Sequence, residues 1–181
     1  EYDDSNRLIK LQNETISLTY TYDNLSRLIS EKLVAQPNPK IPHIKDIETT
    51  FTYNDEGFLD SAYHSPGDYQ RYIYDDDGNL IKRFIKYPGQ PEFLIQEYLE
   101  FDDKKNPYYE FSFSHNTILD LSGVVGVVTT FNPVRHKTNV LQTKVYQSNG
   151  TFTLYNVTYN YNDSGYPISG DHITAYGYQC K

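Results

Sequence analysis

The chain has 181 residues, enough for one domain or two small ones, and carries 19 Tyr and 9 Phe but no Trp and no Met. Its 16 Lys and Arg against 24 Asp and Glu leave a net charge of -8. That sign argues against nucleic acid as a partner, because a phosphate backbone is held by cationic side chains that release its counterions. The longest aliphatic run, Val124-Val125-Gly126-Val127-Val128, is far shorter than the roughly 20 residues of a membrane-spanning helix, so no transmembrane span is expected.

From the N-terminus onward, the chain repeats one short pattern. Six segments read aromatic, Asp or Asn, Asp or Asn, any residue, a turn-permissive residue, any residue, then Leu or Pro; they begin at Tyr2, Tyr22, Tyr53, Tyr74, Phe101 and Tyr161. The fifth position is Asn6, Ser26, Gly57, Gly78, Lys105 or Gly165, with Lys105 the poorest fit. An Asp or Asn opening a type I turn bonds its side chain to the backbone two residues on, and a Gly or Asn after the turn adopts the left-handed conformation at little cost. A type I turn followed by such a residue closes a hairpin through a G1 bulge.

The flanking segments alternate. Ile16, Leu18, Tyr20 and Tyr22 fall on one face of a strand, with Ser17, Thr19 and Thr21 on the other, and Tyr155, Val157, Tyr159 and Tyr161 behave likewise. In chain order, strands are expected near 8–11, 15–22, 28–34, 46–53, 58–63, 69–74, 80–87, 93–101, 107–114, 140–146, 151–161 and 171–178. The fold class is therefore all-β: an antiparallel meander of about a dozen strands, curled into a single sheet or a partly open barrel, with its aromatic side inward. Residues 1–181 read as a single domain. Loops are expected at 35–45, with Pro37, Pro39 and Pro42, and at Pro88-Gly89-Gln90-Pro91. An irregular insertion is expected at about 114–139. The absence of Met implies that residue 1 is not a translational start, so a leader or upstream segment is expected to have been removed.

Tyr74-Asp75-Asp76-Asp77-Gly78-Asn79-Leu80 and Tyr22-Asp23-Asn24-Leu25-Ser26-Arg27-Leu28 resemble the YD repeat of the rearrangement-hotspot (Rhs) and teneurin families. That repeat typically runs Tyr-Asp-x-x-Gly-Arg-Leu, and Arg7-Leu8 and Arg27-Leu28 keep its ending. The chain is also similar to short YD-like envelope lipoproteins of Bacteroidetes. The resemblance implies a β-hairpin repeat, an extracytoplasmic location in the periplasm or on the cell surface of a bacterium, and a lipid anchor on the missing N-terminal part.

Candidate chemistry is sparse. The five histidines show neither HExxH nor His-x-His spacing, and the chain has no nucleophile elbow, P-loop or GxGxxG. Catalytic residues are expected to be none. Asp75, Asp76, Asp77, Asp102 and Asp103 are the candidate calcium ligands, as parts of an acidic rim formed if the turns share one edge of the sheet. The run at Asp75 lacks the EF-hand spacing, and turn chemistry accounts for the same residues. Apart from calcium no cofactor is expected. Tyr69, Tyr87, Tyr98 and Tyr108, on the polar faces of strands, are the candidate binding residues for a glycan or a surface protein, since Tyr offers a flat ring with a polar tip. The expected function is an exported scaffold or binding module at the cell envelope, without enzyme activity. Two alternatives stand beside it: a carbohydrate-active enzyme using a carboxylate pair, and a fragment of a longer Rhs-type shell.

Overall fold

The computed structural model describes residues 1–13, 16–35, 46–65, 67–106, 109 and 136–170. These form β1 (Lys10–Gln12), β2 (Ile16–Tyr22), β3 (Leu28–Ala35), β4 (Ile47–Tyr53), β5 (Leu59–His64), β6 (Asp68–Tyr74), β7 (Leu80–Lys86), β8 (Phe93–Lys105), β9 (Thr138–Tyr146), β10 (Phe152–Asn156), β11 (Tyr159–Tyr161) and β12 (Pro167–Gly170). Strands β1 to β10 follow one another across a single sheet in chain order, and β11 pairs with β12 in a second, two-stranded sheet. The order is linear, so the larger sheet is an open antiparallel meander and does not close into a barrel. No helix among the described residues is long and apolar enough to cross a membrane.

The repeated turns form as their chemistry predicts. In five copies the second residue donates its N–H to the carbonyl of the sixth: Asp3 to Arg7, Asp23 to Arg27, Asn54 to Phe58, Asp75 to Asn79 and Asn162 to Tyr166, each at 2.9 Å. The fifth residue takes positive φ in every one, at Asn6, Ser26, Gly57, Gly78 and Gly165. The register shifts by one residue between Thr21 and Tyr22, between Thr52 and Tyr53, and between Asn160 and Tyr161, as a G1 bulge requires. The bulge then turns the seventh residue inward, and Leu28, Leu59, Leu80 and Pro167 are all buried.

The Phe101 copy is the exception to the expected hairpins. Residues 101–105 lie inside β8, which continues to Lys105 and pairs with β9. Asp102 still accepts the local bond from the Lys104 N–H at 3.0 Å, but Lys105 occupies the position where the other copies turn left-handed, and the chain runs on. A turn the repeat pattern missed closes β9 and β10: Gln147 donates to Thr151 at 2.8 Å, and Gly150 has φ +83°. There Asn149, rather than the second residue, accepts the Thr151 N–H at 2.9 Å. The single strand expected over 151–161 divides into β10 and β11, and β12 was not anticipated. The expected strand at 107–114 apart from residue 109, the expected strand at 171–178, nearly all of the 35–45 loop and the 114–139 insertion up to residue 135 lie outside the described residues.

The chain falls into two compact units, residues 1–72 with 84–93, and residues 73–83 with 94–181. In the first, Ile16, Leu18 and Tyr20 of β2, Leu33 of β3, Phe51 of β4, Ala62 of β5, Tyr72 of β6 and Ile85 of β7 supply the buried face. In the second, Leu80 and Pro167 are buried together with the polar residues Asn79, His136 and Asn139.

Candidate functional site

In the first unit the copies are joined by a relay of side chains. Arg7 grips the Asp3 carboxylate through Nε and Nη2, both at 2.7 Å, and its guanidinium lies 5.0 Å from the ring centre of Tyr22 in the next copy. The hydroxyl of Tyr22 donates back to the carbonyl of Leu8 at 2.9 Å. The following pair repeats this arrangement. Arg27 holds Asp23 at 2.7 Å and stacks 4.6 Å from the Tyr53 ring, and Tyr53 donates to the carbonyl of Leu28 at 2.7 Å. Asp, Arg, Leu and the next Tyr of the repeat thus form one interlocking device, each ring buttressed by a cation and satisfying a carbonyl of the copy before it. Backbone N–H and guanidinium donors from Arg7 hold Asp3 below the usual carboxylate range. Asp23, despite a desolvation that pushes the other way, is held low by the same donors from Arg27.

The buried face of the first unit also carries a polar row. Glu31 of β3 stands opposite Tyr20 on β2 and Thr49 on β4. Thr49 Oγ1 lies 2.9 Å from His64 Nδ1, His64 Nε2 lies 3.2 Å from Gln70 Nε2, and Tyr72 donates to Gln70 Oε1 at 3.1 Å. Glu31 is 7% exposed, and desolvation raises its carboxyl to about 7. Its direct cross-strand neighbours bring no second carboxylate. A raised carboxyl in such a place can take up and release a proton near neutrality.

In the second unit the repeat positions have been turned to another task, which is holding the chain as it returns into β9. Asn79, in the place of the repeat arginine, accepts the N–H groups of Lys137 and Thr138 at 2.9 and 3.2 Å. Asp102 accepts the backbone N–H of Asn139 at 2.9 Å, its side-chain amide at 3.0 Å and the hydroxyl of Tyr161. Asn106 donates to the carbonyl of His136 at 2.9 Å. Burial, and then the bond to Asp102, raises the Tyr161 phenol. His136 packs edge-on against Tyr98 with ring centres 4.3 Å apart, and its Nδ1 is buried without a partner. Desolvation lowers its imidazole to about 4, against the pull of the Asp75 charge.

The residues singled out from sequence are dispersed. Tyr69 faces Tyr63 directly across β5 and β6. Tyr87 is exposed beside Phe93, with ring centres 6.0 Å apart. Tyr98 belongs to the second unit and lies under His136, and Tyr108 falls outside the described residues. Among the candidate cation ligands, Asp75 accepts the N–H groups of Asp77 and Asn79 at 3.0 and 2.8 Å, and Asp102 is committed to Asn139 and Tyr161. Asp103 pairs with Lys104 at 3.1 Å, while Asp76 and Asp77 are exposed on the turn. Among the described residues no three His, Cys, Asp or Glu side chains converge as metal ligands. Glu31 and His136 were missed, since the charge of a residue in an alternating strand does not disclose which face it occupies. The phase of Glu31 with Leu33 was the available signal.

The sequence matches no protein-family model and no curated protein. Among solved structures, one titled "Crystal Structure of TcdB2-TccC3-Cdc42" matches with 13% identity and a TM-score of 0.43, covering 91% of this chain and 8% of that one.

Proposed function

We propose that this chain is a non-catalytic YD-type β-scaffold that presents a rigid sheet to a glycan or a protein, as an exported binding module at the bacterial envelope. The observation that supports this reading is the relay from turn to turn. Asp3 and Asp23, charges that could have held a cation or attacked a substrate, are occupied in fastening each copy to the next. On the other face of the first unit, Tyr63 is 49% exposed and pairs across the strands with Tyr69, giving flat contact area with polar tips. The envelope setting and a lipid anchor are supported by the resemblance to YD-like lipoproteins. Glycan-array and pull-down measurements on the wild-type chain and on a Tyr63→Ser, Tyr69→Ser variant test the reading. Binding that the variant loses is expected. Turnover of a glycan that Glu31→Gln abolishes would replace it with the enzyme reading.

The relay also favours a second reading, a segment of an Rhs-type shell. Each link joins one copy to its neighbour only, so further copies extend the sheet without new chemistry. A full reading frame with additional copies in phase would decide for it.

A further inference from the structure

We propose that the outer face of the first unit binds a neutral, extended, β-linked glycan chain lying across the strands from β6 to β2, one sugar ring to a strand. This rests on the binding-module reading above and names its ligand. The register fixes a row on that face: Tyr69 of β6 stands opposite Tyr63 of β5, Tyr63 opposite Thr50 of β4, Thr50 opposite Ser30 of β3, and Ser30 opposite Thr21 of β2. Gln70, Ala62, Phe51, Glu31 and Tyr20, next to them along each strand, are buried on the opposite face. With neighbouring strands about 4.8 Å apart, the row spans roughly 19 Å. At Thr21, Ser30 and Thr50 it runs close to the turns that open at Asp23 and Asn54.

Every member of the row carries a hydroxyl, and among the described residues none of these five hydroxyls is bonded within the chain. In the adjoining row, by contrast, the hydroxyls of Thr52 and Ser61 bond each other at 2.6 Å. Thr21 and Thr50 are exposed, as is Tyr63. A sugar supplies the complement: a CH-rich ring face that covers a tyrosine ring, and rim hydroxyls that both donate to and accept from side-chain hydroxyls. Rings along an extended β-linked chain follow one another at close to the strand separation, so each strand serves one ring. Strands in a sheet rotate by about 20–25° from one to the next, which makes the row gently helical. A single chain, free to turn at each linkage, follows that path, and a flat crystalline surface does not.

Charge singles out a neutral ligand. The row itself is uncharged, and the charges that border it answer one another. Lys32 stands directly opposite Glu48. Arg71 is clamped by Glu92 at 3.0 and 2.5 Å, while Asp60 also acts on Arg71 and Lys86 on Glu92. Three cations thus meet three carboxylates, in a chain whose net charge is -8. A charged polymer finds no unbalanced charge of opposite sign here to select it. A protein partner calls for an apolar centre to the contact, and this row has rings only at its Tyr63 and Tyr69 end.

Isothermal titration calorimetry of the full chain with cellobiose, cellotetraose and cellohexaose, and with the matching β-mannan oligosaccharides, tests this. From the disaccharide to the hexasaccharide, affinity should rise by about tenfold, as a pair of added hydrogen bonds would give. Thr50→Val keeps the shape and strand preference of the side chain but removes the central hydroxyl, so hexasaccharide binding should weaken roughly fivefold with the melting temperature held. Ser30→Ala should act likewise, and Tyr63→Ser should abolish binding. Thr19→Val, outside the row and opposite Lys32, should leave it as it is. Failure of both series to bind overturns the proposal, as does a hexasaccharide bound no better than the disaccharide or binding that survives both Thr50→Val and Ser30→Ala. Preference for oligogalacturonate or for crystalline cellulose also overturns it. A charged glycan or a protein held through Tyr63 and Tyr69 would sink this inference and leave the binding-module reading standing, whereas a chain for which array and pull-down find no ligand loses both.

Discussion

Tyr53 donates its phenolic hydrogen to the carbonyl of Leu28 at 2.7 Å, and Leu28 is the residue that closes the preceding turn. Leu28 is 1% exposed, so without the hydroxyl its carbonyl would lose a partner that water cannot readily replace. Tyr53→Phe is expected to cost about 1–2 kcal/mol in urea unfolding. Tyr2 begins the first copy and is 62% exposed, so Tyr2→Phe should leave stability unchanged. Because Arg27 stacks on the same ring, Arg27→Met and Tyr53→Leu, which removes the ring, should couple by about 0.5–1 kcal/mol in a double-mutant cycle. Strict additivity would show that ring and cation act separately.

Glu31 ties the stability of the first unit to pH. Its folded value, about 7, lies above the ordinary 4.5, so the folded chain keeps a proton that the unfolded chain has released. The stabilisation is complete below pH 4.5 and is lost as pH rises through 7, to the extent of on the order of 3 kcal/mol at most. Glu31→Gln cannot ionise, and its advantage over wild type should grow from pH 5 to pH 8. Denaturant midpoints at the two values measure this, and parallel shifts would show that the carboxyl is solvated.

His136 should act in the reverse sense in the second unit. Its imidazole falls to about 4 from the ordinary 6.5, so the unfolded chain takes up a proton that the folded chain refuses. Its contribution is present above pH 6.5 and lost as pH falls toward 4. His136→Phe keeps a ring against Tyr98 and removes the unpartnered Nδ1. It should gain on the order of 1–2 kcal/mol at pH 5, with a smaller change at pH 8. Amide exchange of β9 at both values reports it, and equal effects would mean that water reaches the ring.

These pH-sensitive groups mark where sequence reading ended. The meander was legible because Asp, Gly and alternating Tyr and Thr act locally, and local chemistry decides a hairpin: the turns at Asp23 and Asn54 close with the expected bonds. The Phe101 copy misled because its first three residues fit, while Lys105 stands where the other copies turn left-handed and the Asp102 carboxylate is engaged by the backbone N–H of Asn139, 37 positions away. The link between Arg7 and Tyr22 was invisible for a related reason. It joins one copy to the next, and a motif read copy by copy shows which residues recur but not what they touch.

The fifth repeat position offers a backbone test free of packing. Gly57 has φ +85°, and a Cβ built there meets nothing within 4 Å, so Gly57→Ala should lose stability through the left-handed conformation alone, by about 1 kcal/mol. Ser26 occupies the equivalent place with φ +62° and already bears that strain. Ser26→Gly relieves it, at the expense of a 3.3 Å contact from Arg7 Nη1 to the serine hydroxyl on the exposed surface. The gain should be about 0.5 kcal/mol, since exposed polar contacts contribute little and glycine loses some entropy. Thermal melting of the two variants should therefore move in opposite directions from wild type. If both fall, the serine hydroxyl is holding the first two turns together more strongly than the backbone strain opposes it.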